Sequence, residues 1–288
     1  MKPRFRYLTL VPALVLVLGV VLYPFGFMIW MVFHRISLVA MSEPRFVGLG
    51  NLAKVLSDAE LATTFRNTAL FVGESVFMNL LLGFLLALLV NRMRWGKLLF
   101  RSIFLLPMMI APLAASVIWK LLYDPAQGVF NRTLISLGLN GPDWLGAYHL
   151  ALQSTIAVDV WLGVPFVFVV LLGGLESLPV EPFESAKIDG ASAWQTVRRI
   201  TIPMMRPLLL IAVTFRIVWS FRNFGVIYGL TQGGPAGASE TMIFRVWRVA
   251  FADLDLGYAA TIALLMAALI LFVTILFVIG LSRQSTTS

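Results

Sequence analysis

Six apolar stretches dominate the sequence, roughly Tyr7–Phe33, Asn67–Val90, Ser102–Trp119, Leu150–Leu175, Leu208–Gly229 and Leu256–Ser282. Each is long enough to cross about 30 Å of hydrocarbon as a helix, at roughly 1.5 Å per residue. Lipid offers a backbone no hydrogen bonds, so only helices and closed barrels span it. Barrel strands would read as alternating segments of about 10 residues, which the sequence does not contain. The expectation is an all-α polytopic membrane protein with six transmembrane helices, forming a single domain over residues 1–288. Composition agrees: 59% of residues are hydrophobic and 12% charged, against about 45–50% and 25% in soluble domains. The first stretch has basic residues before it, is too long for a signal-peptide core and shows no small-residue cleavage site, so it reads as a retained span.

Lysine and arginine orient the bundle. An even number of spans places both termini on one side. If that side is inner, it holds Lys2, Arg4 and Arg6, the run Arg92, Arg94, Lys97 and Arg101, then Lys187, Arg198, Arg199, Arg206 and Arg283. That makes 12 bases inside against 8 outside, which favours inner-side termini. The same distribution gives the pI near 10.2 a membrane-lipid explanation rather than a nucleic-acid one. Trp144, Tyr148, Trp247 and Tyr258 fall where interfacial aromatic belts sit. The first and third outer loops are long enough for short helices.

Several chemistries are excluded. There are no cysteines and two histidines, His34 and His149, both in outer segments, so no disulfide framework, metal cluster or hydrolytic triad can be assembled. No G-x-x-x-x-G-K-[ST] phosphate loop occurs; "WGKLLF" lacks the first glycine and the hydroxyl residue.

Between the fourth and fifth spans lies a polar segment, about 176–207, containing "ESAKIDGASAWQTVRRITIPMMRP" (Glu184–Pro207). Pro179 stops the fourth span and Pro182 suits a first helical turn. "FESAKID" predicts a short helix closed by Gly190, and Ser192 is a candidate N-cap for a second. Pro203 and Pro207 are expected to separate that second helix from the fifth span. From pattern alone, the segment is either a loop lying on anionic lipid or a helix–turn–helix that docks elsewhere.

Glu74, Asp159, Arg216 and Arg222 lie within spans, where a charge costs several kcal/mol unless it faces protein or water. For Glu74 the expected role is a structural ion pair. Asp159, Gly163 and Phe166 share a helix face, as do Arg216, Ser220 and Asn223. Pro165 is expected to bend the first of these helices. Arg216 offers a donor fork suited to a carboxylate, sulfonate or phosphate, while Asp159 either accepts sugar hydroxyls or neutralises Arg216. Trp161, Trp219, Phe221 and Phe224 are available to stack on a ring or to pack.

The polar segment resembles the "EAA" loop of ABC-importer permeases: Glu184, Ser185 and Ala186, then Gly190, Ile200, Ile202 and Pro203 match its pattern. Ser185 replaces an alanine and Ile202 a leucine. "FVGLGN", "LLP", "VWLGVPF", "LTQGGPAGASET" and "DLGYAA" follow in the order seen in carbohydrate-uptake permeases, similar to the maltose and glycerol-phosphate systems. The resemblance implies a bundle that pairs with a second homologous permease subunit. It implies two ATPase subunits, which would bind ATP and Mg while this chain holds no cofactor and is no enzyme. It further implies a periplasmic or lipid-anchored solute-binding protein outside, and a place in the bacterial inner membrane with both termini cytoplasmic. Glu184, Ser185, Ala186, Asp189, Gly190, Ala191 and Pro203 would couple to the ATPase, with Glu184 either meeting that partner or complementing its own helix dipole. Asp159, Leu162, Gly163, Phe166, Arg216, Ser220 and Asn223 would contact the solute, a sugar, polyol or sugar derivative, either neutral or anionic. Tyr228 and Gln232 border the entrance. Asp159 and Arg216 replace neutral residues of the maltose-type pattern, which argues against maltose itself. The competing reading is a proton-coupled secondary transporter using Glu74 or Asp159, and no inverted repeat supports it.

Overall fold

The computed structural model describes residues 11–12, 15–37 and 43–282. Its long helices are α1 (Tyr23–Val32, continuing a π-helical turn over Leu18–Leu22), α3 (Ala59–Arg92), α7 (Tyr148–Ser177), α10 (Ile202–Phe221) and α13 (Leu256–Ser282). Shorter ones are α2 (Gly50–Ser57), α4 (Lys97–Leu105), α5 (Pro112–Leu122), α6 (Val129–Ser136), α8 (Glu181–Ile188), α9 (Ala193–Thr196), α11 (Phe224–Leu230) and α12 (Met242–Phe251). A two-residue antiparallel pair, β1 (His34–Arg35) with β2 (Arg45–Phe46), is the sheet found among the described residues.

Five helices are long and apolar enough to span, and the expected third span is the exception. There, Lys97–Met109 and Pro112–Leu122 meet at 98°. Pro107 sits in a tight turn over Leu106–Met109, and Ile110 and Ala111 are extended, with ψ of 130° and 136°. The residue before a proline is pushed out of the helical region, and Ala111 precedes Pro112.

The fifth span departs from expectation at both ends. A π-helical turn over Val197–Thr201 joins α9 to α10, so Ala193–Phe221 is one helical run and Pro203 and Pro207 do not interrupt it. Pro203 falls in the first turn of α10, where a missing N–H costs little. At the other end the helix stops at Phe221 rather than Gly229. Arg222 and Asn223 leave helical geometry, and Asn223 caps α11 by accepting the Val226 N–H at 3.4 Å.

The chain packs as two compact units, Met1–Ala62 with Arg245–Ala268 and Thr63–Phe244 with Leu269–Ser288. In the first, buried Asn51 donates to the carbonyls of Val32 and His34 at 2.9 and 3.0 Å, which accounts for the "GLGN" element. Arg245 bonds Asp58 at 2.6 Å and Glu60 at 2.9 Å, and the Tyr258 hydroxyl donates to Asp58. Tyr258 is therefore buried on a polar partner rather than lying in an aromatic belt. Burial raises the Asp58 pKa, but the Tyr258 and Arg245 hydrogen bonds and the Arg245 charge outweigh it and hold it below the ordinary 3.8. A depressed carboxyl pKa stabilises the fold above the unfolded value and loses that contribution as pH falls through the folded one. Protection of the α12 amides against hydrogen exchange, corrected for the intrinsic rate, is thus expected to hold down to about pH 4 and to fall below it; Asp58→Asn should reduce that fall, with Glu60, held down by Arg245 and Arg248, supplying the remainder.

In the second unit, Ala87, Val90, Val167, Phe168, Leu171, Leu172, Leu175, Met205 and Ala212 form a dry core joining α3, α7 and α10. A second cluster gathers Tyr123, Val158, Val226 and Leu230 with Trp119, Phe130, Trp144 and Leu145. Trp144 also turns inward, donating to Asn131 at 2.7 Å. Along α13, Leu271 and Phe272 are bare, as expected of a surface facing lipid or a second subunit.

Candidate functional site

Halfway along α7, Asp159 is 2% exposed, and on α10 Arg216 is 3% exposed. Their closest atoms, Oδ2 and Nη2, are 2.6 Å apart. Asp159 also accepts from the Ser75 hydroxyl on α3, from the Asn223 amide, and from Ser220 at 3.4 Å. Arg216 in turn donates to Ser220 at 3.3 Å. Charge and donors converge on one carboxylate, the condition under which a buried ion pair is tolerated.

Gly163 makes the arrangement possible. A Cβ there would stand 2.5 Å from Arg216 Cζ and 2.4 Å from Asn79 Oδ1, so any larger residue displaces the guanidinium. Asn79 donates to the Ser75 carbonyl at 2.6 Å. Two buried polar atoms are left without a hydrogen-bond partner, Asn79 Oδ1 and Arg216 Nε. Ser75 and Asn79 escaped the sequence reading. Their signal was a polar pair at a spacing of four in an otherwise apolar span.

Asp159, Leu162, Arg216 and Asn223 line a cavity of about 680 Å³, together with Met108, Ile110, Ala111, Pro112, Leu113, Trp219, Arg222, Phe224 and Gly225. This volume lies within the usual range for small-molecule sites, about 300–1,000 Å³. Gly163 and Ser220 sit behind its wall. Phe166 does not line it; its ring packs on Trp219 and Phe215 at 4.9 and 5.8 Å. Trp161 packs on Trp119, and Phe221 is buried elsewhere. Tyr228 packs on Phe224, and Gln232 adopts φ of 50° in the loop that follows α11. α7 runs through Pro165 as one helix. The backbone opens instead at Ile110–Ala111 and Arg222–Asn223, and both breaks line the cavity. Discontinuous helices of this kind commonly frame transport sites. Glu74 is not ion-paired among the described residues; Gln153 donates to it at 3.4 Å. Its carboxylate is half-buried.

The helix–turn–helix forms as the sequence predicts. Gly190 has φ of 73°, and the Ala191 N–H reaches back to the Ala186 carbonyl at 2.9 Å, closing α8. Ser192 and Gln195 form a reciprocal capping box. Ala186 is buried, Glu184, Ser185 and Asp189 are exposed, and Ala191 and Pro203 are half-buried. Around the turn, Ile188 is 86% and Trp194 68% exposed.

Comparison with known proteins follows this geometry. The family model described as "binding-protein-dependent transport system inner membrane component" matches residues 79–284. The trehalose/maltose transport system permease protein MalF of Thermococcus litoralis is 33% identical, covering 96% of this chain and 93% of its own. The sn-glycerol-3-phosphate transport system permease protein UgpA of Yersinia pestis is 29% identical, covering 94% and 91%. A chain of a bacterial ABC transporter that imports the acidic polysaccharide alginate superimposes with a TM-score of 0.83 at 21% identity, covering 98% and 96%.

Proposed function

Since the chain belongs to the family of binding-protein-dependent transport system inner membrane components, we propose that it is the permease half through which a sugar, polyol or sugar derivative enters the cell. The observation that carries the reading is the rigid, capped helix–turn–helix at 181–201, which presents Ile188 and Trp194 to a partner. Exposed apolar side chains on a fixed elbow are suited to insertion in a complementary cleft. A sequence with no phosphate loop draws its energy from outside the chain, so the elbow couples to a separate pair of ATPase subunits that bind ATP and Mg. Glu184, Ser185, Ala186, Asp189, Gly190, Ala191 and Pro203 form or support this joint. The two compact units act as one permease domain beside a second, homologous subunit. A periplasmic or lipid-anchored binding protein delivers solute from outside, and the termini and elbow face the cytoplasm.

The solute site is the cavity at the two helix breaks. Asp159, Leu162, Arg216 and Asn223 face it, while Gly163, Ser220 and Phe166 hold its wall. Nucleotide-driven closure of the ATPases moves the elbow, and the bundle alternates between outward and inward openings. The proton-coupled alternative finds no relay among the described residues. Asp159 is locked to Arg216, and Glu74 rests on a glutamine.

Gly190→Val tests the coupling. Nothing lies within 4 Å of the added Cβ, so the change acts through φ alone, in a region β-branched residues avoid. ATP-driven uptake is expected to fall about 10- to 100-fold, the range of typical coupling energies. Solute binding should be retained, and Gly190→Asn, which tolerates the left-handed conformation, should keep most of the activity. Wild-type uptake by the valine variant would refute the joint.

A further inference from the structure

Within the cavity just described, one cation is left over. Asp159 and Arg216 neutralise each other, and Asp159 also accepts from Ser75, Ser220 and Asn223. Arg222 stands on the same wall, exposed, and no side chain among the described residues pairs with it. A lone guanidinium inside a membrane segment is costly unless water or an anion attends it. The first turn of α5 lines the same space, bringing the positive end of an 11-residue helix toward it. Trp219 lies one helical turn from Arg216 and is exposed on the cavity wall.

From this we infer that Arg222, rather than Arg216, is the specificity residue, and that it reads an oxyanion on an acidic sugar whose ring lies on Trp219. The guanidinium fork matches carboxylate and phosphate alike, and the net charge of the cavity repels cationic solutes. The inference rests on the importer reading but adds the charge of the solute and the residue that selects it.

The test uses the full chain co-purified with its assembled subunits in phosphatidylcholine nanodiscs. Phenylglyoxal labelling of Arg222 is followed by peptide mass spectrometry with D-glucuronate, D-glucose 6-phosphate or D-glucose present. One or both acids should slow labelling several-fold while glucose does not. Protection by glucuronate alone assigns a carboxylate, by the phosphate alone a phosphate ester. Protection by neither acid, or equally by glucose, overturns the inference. So does protection conferred by phosphatidylglycerol nanodiscs without sugar, which would assign the anion to lipid. Arg222→Gln should lower uptake of the protecting acid about tenfold, the loss of one charge-assisted hydrogen bond, with Arg222→Lys recovering part and Tm unchanged in both. Uptake unaffected by Arg222→Gln overturns the selector. Protection without any ATP-dependent uptake in the wild type leaves the oxyanion site standing and removes the importer reading instead.

Discussion

Asp159→Ala is expected to be the most damaging single change in the bundle, lowering stability by about 3–5 kcal/mol. Removing the carboxylate leaves the Arg216 guanidinium buried, with a single long hydrogen bond to Ser220 at 3.3 Å. The reverse change, Arg216→Ala, is expected to cost less. Asp159 would keep Ser75, Ser220 and Asn223 as donors, and three hydrogen bonds go far toward solvating one carboxylate. Replacing both residues by leucine removes the charges together, so Tm should recover most of the loss while uptake stays abolished. Thermal unfolding of the purified chain in detergent gives the ranking. If Arg216→Ala unfolds at a lower temperature than Asp159→Ala, the carboxylate is not the hub described here. If the double leucine variant transports normally, the pair plays no part in the solute path.

The second large effect is expected where α11 crosses α5. Gly225 and Gly229 are four residues apart and bring one face of α11 against the start of α5. A Cβ on Gly225 would meet the Leu113 nitrogen and Pro112 at 3.2 Å, and one on Gly229 would fall 1.8 Å from Ser116 Oγ. Ser116 is fully buried and donates to the Leu113 carbonyl at 2.6 Å, so it has no direction in which to retreat. Small residues at this spacing allow backbones to approach in membranes, where packing replaces the hydrophobic drive. Gly229→Val must part the two helices and widen the cavity that both of them line. Overpacking of this kind costs about 1–3 kcal/mol, and uptake should be lost with it. The milder Gly229→Ala is expected to be rescued by Ser116→Gly, with a coupling energy of about 0.5–3 kcal/mol in a double-mutant cycle. Additive effects in that cycle would show that the crossing is looser than the coordinates place it.

Much of this protein was legible before any coordinates. Long apolar runs admit one solution in lipid, so the helical class and approximate spans followed from hydropathy alone. The elbow was equally readable, because Pro182, Gly190 and Ser192 act locally: a fixed φ, a left-handed cap and a side-chain acceptor need no distant partner. Family kinship was legible in the same segment, through Glu184, Gly190 and Pro203 in their order.

Local rules failed where long-range packing chose among allowed states. Pro203 and Pro207 predict an interruption, yet the run into α10 passes through both. The breaks came instead at Ile110–Ala111 and Arg222–Asn223. The first adjoins Pro112, and the second needed Asn223 both to cap α11 and to donate to Asp159. The sequence offered the pairing of Asp159 with Arg216 as one of two readings and could not choose it, since helix periodicity gives faces but not the neighbours those faces meet. The sequence by itself determined that the chain is a helical membrane protein with a capped elbow, because those features arise from hydropathy and from interactions within a few residues, and the resemblance of that elbow's residues to importer permeases added the type. Only the tertiary structure decided that Asp159 belongs to Arg216, Ser75 and Asn223 and that Arg222 is left facing the cavity. Those assignments depend on which helices cross at which depth, and that is set by the close approach of Gly163 and Gly229 to side chains far away in the chain.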